Sequence, residues 1–461
     1  MTNLKSGGVR FAPVGSRLAT CLLLLLLGGC HPSGFCLCGP FAATLSGSVN
    51  GLVGYGLALQ TATGAAGVPL GGPASNGPNV QFGIANFNSS YDLTVATQPT
   101  NPSQTCVVTN GKGTTGTSNV TNIVVTCTTN PARFLYVTNR GSNEVSAYTV
   151  SAAGALAAVA GSPFAAGSAP VAIAVDPTGR YAYIVNQADA TVSAFAIDRT
   201  SGALAPITGS PFATGPAPTS VAIDSAGGFV YVANGSAGTV SAYSIDTSSG
   251  VLTTVTGSPF AAGMVPSSVV ANPLSGSVYV ANQGDGTLSV FGVGASGGLT
   301  PVSGSPLAAG AAPSAIAVDL AGQQVYVAST ASSSVSGFDA AGTLLTPLTG
   351  SPSATGGSPD AIAVDPQGKF LYITNRGSND LSAFTIGAGG ALTALGGSSI
   401  AAGNQPAAIV VDPTSSFVFV ANAGSNSISA YAISSGTGAL TPLSGSPYAT
   451  GNAPSGLAVT D

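Results

Sequence analysis

The sequence is poor in charged residues and lacks tryptophan altogether. Lys, Arg, Asp and Glu make up 5% of its 461 residues, against roughly 25% in an average globular protein. Ten basic and fifteen acidic residues give a formal net charge of −5. No Lys/Arg cluster is present that could neutralise a phosphate backbone. The composition therefore argues against a nucleic-acid partner.

Residue types that carry catalysis or bind metals are equally scarce. The only His is His31 and the only Glu is Glu144. No phosphate-binding loop, zinc-helix signature or nucleophile elbow occurs, so we predict no cofactor and no metal. What the chain does have is 64 Gly, 31 Pro and regularly spaced β-branched and aromatic residues. This pattern predicts many short strands joined by tight turns.

The N-terminus is typical of an export signal. Three basic residues precede an apolar stretch from Leu18 to Leu27, which is too short to span a bilayer as a mature helix. The following Leu27-Gly28-Gly29-Cys30 resembles the lipobox of bacterial lipoproteins. The resemblance implies that residues 1–29 are a signal peptide and that Cys30 is lipidated. We therefore expect an exported protein of the bacterial cell envelope, anchored to the membrane; the alternative is a secretory signal cleaved nearby, with Cys30 unmodified.

Two segments are predicted between the anchor and the rest of the chain. Residues 30–43 are interpreted as a lipidated tether. Its Cys36 and Cys38 lack the second ligand pair of a structural zinc site. Residues 44–130 show about six short alternating strands separated by turn clusters, which predicts a small β-sandwich. Cys106 and Cys127 each lie on an apolar, β-rich run, and we expect them to form a disulfide in an oxidising compartment. The surrounding pattern resembles an immunoglobulin- or transthyretin-like module.

From residue 131 onward the sequence repeats itself every 46 to 48 residues. A Gly-Ser-Pro-aromatic motif and a Pro-x-x-Ile-Ala-Val-Asp motif recur in phase with a Tyr-Val-x-Asn motif. Each period holds four strand-like segments, as in the blade of a β-propeller. The Tyr-Val-x-Asn copies begin at Tyr136, Tyr183, Tyr231, Tyr279, Tyr326, Tyr372 and Phe419.

The two ends of the repeat region are complementary. It opens at Phe134 with a second strand that lacks a first strand, and it finishes with a first strand, Pro454 to Asp461. Pairing of these two strands would complete a shared blade and remove an exposed edge. We therefore predict an all-β chain: a seven-bladed β-propeller over residues 131–461, preceded by the small sandwich.

The repeats also resemble a known family. Tyr-Val-x-Asn strands, Asp-Pro-x-Gly turns and Ser-Ala-Tyr third strands are similar to those of the lactonase family of seven-bladed propellers, which includes 6-phosphogluconolactonase, and of YVTN repeat proteins. Family enzymes commonly carry a His-Pro-x-Gly turn and an Asn-Glu strand ending. This chain has Asp176-Pro177-Thr178-Gly179 and Asn186-Gln187 at matching positions. We therefore assign no catalytic residue.

The best candidates for ligand binding lie in the loops after the Tyr-Val-x-Asn strands, which should gather on one face. Arg140 and Arg376, two blades apart, could grip an anion, but we expect each arginine to pair instead with the acidic residue four positions on, Glu144 or Asp380. The repeating Asp at the ends of the first strands is interpreted as a turn residue. The candidates are Arg140, Glu144, Asp189, Asp285, Arg376 and Asp380.

Two functions follow as hypotheses. The first is a membrane-anchored propeller that binds an unknown protein, glycan or small molecule, or that serves as a cell-envelope scaffold. The second is a lactone hydrolase of the 6-phosphogluconolactonase type. We favour the first, because the ionisable groups that lactone hydrolysis needs are replaced.

Overall fold

The computed structural model describes residues 42–61, 68–70, 72–100, 102–342, 344–396 and 399–460. The predicted signal peptide, the lipidation site at Cys30 and most of the predicted tether lie outside the described residues. Within the described ranges, no helix has both the length and the apolar character needed to cross a membrane.

The first described unit is the predicted sandwich, in which two four-stranded sheets enclose one apolar core. One sheet has the strand order β4 (Gly77–Asn86), β1 (Ala42–Asn50), β8 (Val120–Thr129) and β6 (Gln104–Thr109). The other has the order β3 (Val68–Leu70), β2 (Leu57–Thr61), β5 (Ser90–Thr97) and β7 (Lys112–Thr114). The first strand begins at Ala42, two residues before the predicted boundary, because Ala43 is already buried. Cys106 and Cys127 lie directly opposite each other on β6 and β8 and form the expected disulfide.

The remaining strands form seven radial sheets, the blades of the predicted propeller. Strand bounds follow in chain order. Blade 1 contains β9 (Phe134–Asn139), β10 (Glu144–Val150), β11 (Leu156–Ala158) and β12 (Phe164–Ala165), and blade 2 contains β13 (Pro170–Val175), β14 (Tyr181–Asn186), β15 (Thr191–Ile197), β16 (Leu204–Pro206) and β17 (Phe212–Ala213). Blade 3 contains β18 (Pro218–Ile223), β19 (Phe229–Asn234), β20 (Thr239–Ile245), β21 (Leu252–Thr254) and β22 (Phe260–Ala261), and blade 4 contains β23 (Pro266–Ala271), β24 (Ser277–Asn282), β25 (Thr287–Val293), β26 (Leu299–Pro301) and β27 (Leu307–Ala308).

The other three blades and the last strand complete the ring. Blade 5 contains β28 (Pro313–Val318), β29 (Gln324–Ser329), β30 (Ser334–Asp339), β31 (Thr346–Pro347) and β32 (Ser353–Ala354), and blade 6 contains β33 (Pro359–Val364), β34 (Phe370–Asn375), β35 (Asp380–Ile386), β36 (Leu392–Ala394) and β37 (Ile400–Ala401). Blade 7 contains β38 (Pro406–Val411), β39 (Phe417–Asn422), β40 (Ser427–Ile433), β41 (Leu440–Pro442) and β42 (Tyr448–Ala449), and β43 (Pro454–Thr460) follows. Two 3-10 turns, Gly72–Ser75 and Ala388–Gly390, interrupt the strands.

The ring closes as the sequence predicts. The final strand β43 pairs antiparallel with β9, so that Leu457 lies opposite Val137 and Thr460 opposite Phe134. Blade 1 is therefore built from both ends of the repeat region. Every second strand of the described propeller now has an inner and an outer neighbour in its sheet.

The tyrosine of the Tyr-Val-x-Asn motif joins each blade to the next. Its ring is buried, and in five blades its hydroxyl donates to a glycine carbonyl of the following blade at 2.8–3.2 Å. Tyr183, for example, donates to Gly250. The asparagine of the motif ties strands within a blade, since its Nδ2 donates to a serine on the third strand in six blades. The motif therefore fixes both blade packing and the ends of the loops.

The repeating aspartates hold the turns between the first and second strands, as predicted. The Asp365 carboxylate accepts the backbone N–H groups of Gln367, Lys369 and Phe370. The equivalent residues Asp176 and Asp412 accept three such groups in the same pattern. The backbone N–H groups therefore explain why an aspartate recurs at this position, and no bound cation is needed to explain it. We call the face that carries these turns the turn face.

Candidate functional site

The opposite face, which we call the loop face, carries the loops between the second and third strands of every blade. It also carries the connections that lead from one blade to the next. All six ligand-binding candidates lie on this face, as the repeat register predicts. Arg180, by contrast, lies on the turn face, where it donates to the Thr247 carbonyl.

The residue that follows each Tyr-Val-x-Asn strand begins the loop that leads to the third strand. In blade 1 this residue is Arg140, whose backbone N–H donates to the Ala453 carbonyl of the connection before β43. Its guanidinium donates to Oε1 of Gln187, which holds the same position in blade 2, at 2.7 Å. In blade 6 the residue is Arg376, and its guanidinium lies 3.3 Å from the carboxylate of Asp360.

The predicted pairing of each arginine within its own loop is therefore wrong. Arg140 contacts Gln187 rather than Glu144, and Arg376 contacts Asp360 rather than Asp380. The reason is the radial order of the strands. Each arginine follows the end of a second strand, and its partner lies on the neighbouring blade for Arg140 and on the first strand of the same blade for Arg376. The acidic residue four positions on opens the third strand, which lies farther out.

Asp189 and Asp285 fix the connections between blades. Oδ2 of Asp189 accepts the backbone N–H of Ser168 at 2.6 Å, and this bond lowers the pKa of Asp189. Oδ2 of Asp285 accepts the backbone N–H of Met264 at 2.9 Å, and its Oδ1 accepts the Thr287 hydroxyl. Both carboxylates are thus engaged by the loops that carry them.

Other blades show that this is a structural position. Serines at the equivalent place accept the corresponding N–H in blades 1, 6 and 7. Blade 3 has Ala237 there, and the residue that faces it is Pro216, which has no N–H to satisfy. The acceptor and the donor are therefore lost together in that blade.

Glu144 and Asp380 are also held by their own loops. Oε1 of Glu144 accepts the hydroxyl of Ser142 at 2.9 Å. Asp380 accepts from the Asn375 amide and from the hydroxyls of Ser378 and Ser399. The structure thus places the six candidates on one face but does not bring them together in one cluster.

A cavity of about 840 Å³ opens on the loop face over blades 2 to 4. Its floor is formed by small residues of the blade 3 loop, where glycine and alanine replace the long side chains of other blades. Its volume lies within the roughly 300–1,000 Å³ range of small-molecule sites. We call it the loop-face cavity; it is lined by Gln187, Ala217, Thr219, Gly235, Ser236, Ala237, Gly238, Ala262, Gly263, Met264, Val265, Gln283 and Asp285.

Three uncharged polar groups of this cavity have no partner among the described residues. They are Nε2 of Gln187, the side-chain amide of Gln283 and the hydroxyl of Ser236. The exposed side chains of Met264 and Val265, 64% and 44% accessible, add an apolar edge. The cavity therefore offers hydrogen-bond donors and acceptors beside an apolar surface, which is a common arrangement in ligand sites.

Comparisons with known proteins agree with the fold. A family profile described as lactonase, seven-bladed β-propeller, matches residues 90–217 and 268–454, more than half of the chain. The chain belongs to this lactonase family. A search of proteins of curated function gave no match.

Solved structures of the lactonase fold resemble the chain at low sequence identity. A protein from Bacteroides fragilis assigned as a 6-phosphogluconolactonase has 19% identity and a TM-score of 0.64, covering 71% of this chain and 98% of that one. The periplasmic gluconolactonase of Pseudomonas aeruginosa has 21% identity and a TM-score of 0.61, covering 71% and 99%. A protein from Lactobacillus plantarum has 24% identity and a TM-score of 0.61, covering 72% and 100%. At these identities the likeness shows the fold alone.

One carboxylate of this lactonase-family chain, that of Asp360, differs from those of Asp189 and Asp285 because its partner is a charged side chain. Asp360 is the second residue of the inner strand β33, and its carboxylate forms an ion pair with Arg376. Burial raises its pKa, and the neighbouring guanidinium of Arg376 opposes that rise. Within the described ranges, no three His, Cys, Asp or Glu side chains converge as metal ligands.

Sequence analysis missed Asp360, Gln187, Gln283 and the loop-face cavity. An alignment of the seven repeats with one another could have located these residues and the cavity. The position after the motif asparagine is occupied by Arg140, Gln187, Gly235, Gln283, Thr330, Arg376 and Ala423. Blades 2 and 4 have glutamine at this position and blade 3 has Gly235, so the missing side chain in blade 3 leaves space on the loop face.

Proposed function

We propose that this chain is an exported, lipid-anchored lactonase-family propeller that binds a small-molecule or glycan ligand at its loop face. The observation that carries the proposal is the loop-face cavity. Its free polar groups are uncharged, and its one carboxylate, Asp285, has both oxygens engaged by the loops. Such a cavity can hold a ligand by hydrogen bonds to its amide and hydroxyl groups and to the remaining acceptor sites of Asp285.

Two features of the chain support placement outside the cytoplasm. The sequence Leu27-Gly28-Gly29-Cys30 resembles a lipobox, and the disulfide between Cys106 and Cys127 suits an oxidising compartment. A propeller tethered by lipid at its N-terminal side would present a binding face in the envelope. On this face the protein would capture a ligand in the envelope or serve as a scaffold.

Retention of a ligand by the purified protein tests the proposal. The full chain, solubilised in detergent, is dialysed against a small-molecule extract of the cell envelope, and retained compounds are identified by mass spectrometry. We expect retention by the wild type and its loss in Ser236→Trp, which fills the loop-face cavity from an exposed position. Ala331→Trp, at the same loop position in blade 5, is the matched control. Equal retention by both variants contradicts the proposal.

Lactone hydrolysis is a second candidate, favoured by the pair of Asp360 and Arg376. A carboxylate whose pKa is raised by burial could take a proton from water. The resulting hydroxide would add to the lactone carbonyl, and the Arg376 guanidinium would hold the oxyanion. Collapse would break the ring C–O bond, and the departing alkoxide would take the proton back from Asp360, giving the hydroxy acid.

An assay with 6-phosphogluconolactone and with gluconolactone separates the two candidates. The rate of ring opening is measured above the spontaneous rate for the wild type, Asp360→Asn and Arg376→Ala, with Arg140→Ala for comparison. We expect no turnover above the spontaneous rate. Turnover that falls at least a hundredfold in Asp360→Asn would instead establish the hydrolase.

A further inference from the structure

The two walls of the loop-face cavity differ in polarity. On the blade 2 wall, Oε1 of Gln187 is occupied by the Arg140 guanidinium at 2.7 Å. This contact fixes which way the amide points, so that its free Nε2 is the group left to face a ligand. A hydrogen bond to a charged donor also polarises the amide and strengthens Nε2 as a donor.

The blade 4 wall carries the negative charge of the cavity. Asp285 uses one lone pair of each oxygen for the Met264 N–H and the Thr287 hydroxyl, and a carboxylate has about four acceptor sites. Remaining sites can therefore accept from a ligand. Gln283 lies on the same wall and adds both a donor and an acceptor.

No cation lines the cavity. Among the lining residues, Asp285 is the only charged one. The nearest cation that contacts a lining residue is Arg140, which is exposed and already donates to Gln187. An anionic ligand would thus meet a carboxylate without gaining an ion pair, and the solvent around Arg140 would screen its charge.

We propose that the loop-face cavity selects an uncharged, hydroxyl-rich ligand of the sugar type and rejects phosphorylated or carboxylated ones. A carbonyl or ring oxygen accepts from Nε2 of Gln187, hydroxyl groups donate to Asp285, and C–H groups pack on Met264 and Val265. This assignment rests on the proposed binding function and adds the ligand class to it.

A matched set of probes tests the assignment. D-glucose, D-glucose 6-phosphate and D-glucuronate share one ring and differ in charge, and their dissociation constants with the full-length protein are measured by saturation-transfer NMR. We expect saturable binding of D-glucose and at least tenfold weaker binding of both anions. Gln187→Ala should weaken D-glucose binding about tenfold, whereas Gln367→Ala, an exposed glutamine on the turn face, should leave it unchanged.

Removal of the negative charge of Asp285 gives a second test of the ligand class. Asp285→Asn keeps an acceptor for the Met264 N–H, so we expect the fold to persist and the discrimination against D-glucose 6-phosphate to shrink. Binding of the anions as tight as that of D-glucose, or discrimination unchanged in Asp285→Asn, contradicts the ligand class. Either outcome would leave the proposed binding function untouched, because the retention experiment with Ser236→Trp tests that function separately. No saturable binding by any of the three probes overturns the assignment.

Discussion

Tyr372 shows how one side chain couples two blades. Its ring is fully buried in blade 6, and its hydroxyl donates to the Gly438 carbonyl of blade 7 at 2.9 Å. Burial raises its pKa above the ordinary tyrosine value. The unfolded chain therefore loses this proton at lower pH than the folded one, and the contribution of such tyrosines to stability declines as the pH rises above about 10.

Removal of this hydroxyl should weaken the ring without changing its shape. Tyr372→Phe leaves the Gly438 carbonyl unpaired, and we expect a loss of about 1–2 kcal/mol in the free energy of unfolding. Phe419 occupies the equivalent place in blade 7, so a phenylalanine fits. Urea denaturation checks the value, and Tyr91→Phe, whose hydroxyl bond in the sandwich is exposed and 3.4 Å long, is the control.

Asp360 replaces a residue type that stabilises other blades. At its position, Thr219, Ser267, Ser314 and Ser455 each donate a hydroxyl to the carbonyl of the proline that begins the next blade, at 2.8 Å. An ionised carboxylate cannot donate. Asp360 instead lies against Arg376, whose side chain is 47% exposed, and such half-exposed pairs contribute little.

We expect Asp360→Ser to stabilise the protein by about 1 kcal/mol at neutral pH, since the serine can donate to the Pro406 carbonyl. The pKa of Asp360 is raised in the folded state, so the wild type is penalised once the pH exceeds the carboxyl range. The gain should shrink when the pH is lowered toward about 4, because the raised pKa of Asp360 makes the folded protein take up this proton more readily than the unfolded chain does. Denaturation curves at both pH values check this; an equal gain at both contradicts the pH dependence.

At the scale of elements, the last strand decides whether the ring is closed. β43 provides the inner neighbour of β9, and without it blade 1 exposes an unpaired edge near the ring axis. We expect deletion of residues 454–461 to lower the midpoint of thermal unfolding of the whole propeller by more than 10 °C. Near-UV circular dichroism follows the transition, and deletion of Asp461 alone is the control. An unchanged midpoint would contradict the closure.

The elements were easier to predict from the sequence than the site. Strand order, blade number and closure follow from a motif whose tyrosine, asparagine and aspartate have the same partners in most blades, so that periodicity alone locates them. The partners of Arg140 and Arg376 do not follow, because they lie on other strands or blades and depend on the radial position of each strand end. The loop-face cavity arises from missing side chains at Gly235 and its neighbours, and it becomes visible in the sequence only when the seven copies are aligned position by position.

At the scale of the whole molecule, the proposed lipid anchor at Cys30 would determine where the propeller acts. We expect Cys30→Ser to move the protein from the membrane fraction to the soluble envelope fraction, because the thiol is the acyl acceptor in lipobox proteins. Cell fractionation with immunoblotting measures this. Cys106→Ser in the sandwich serves as the control, since it breaks the disulfide but leaves the anchor intact. A variant at Cys30 that stays in the membrane fraction contradicts lipidation.

The pairing of β43 with β9 joins residues more than three hundred positions apart in the sequence. A chain that emerges from a ribosome with its N-terminus first must therefore hold blade 1 incomplete until β43 is free. Intermediate blades can form in order, each packing on the one before it. The docking of β43 on β9 should therefore be the slow step of assembly, and until it occurs a chaperone or protease meets an open ring.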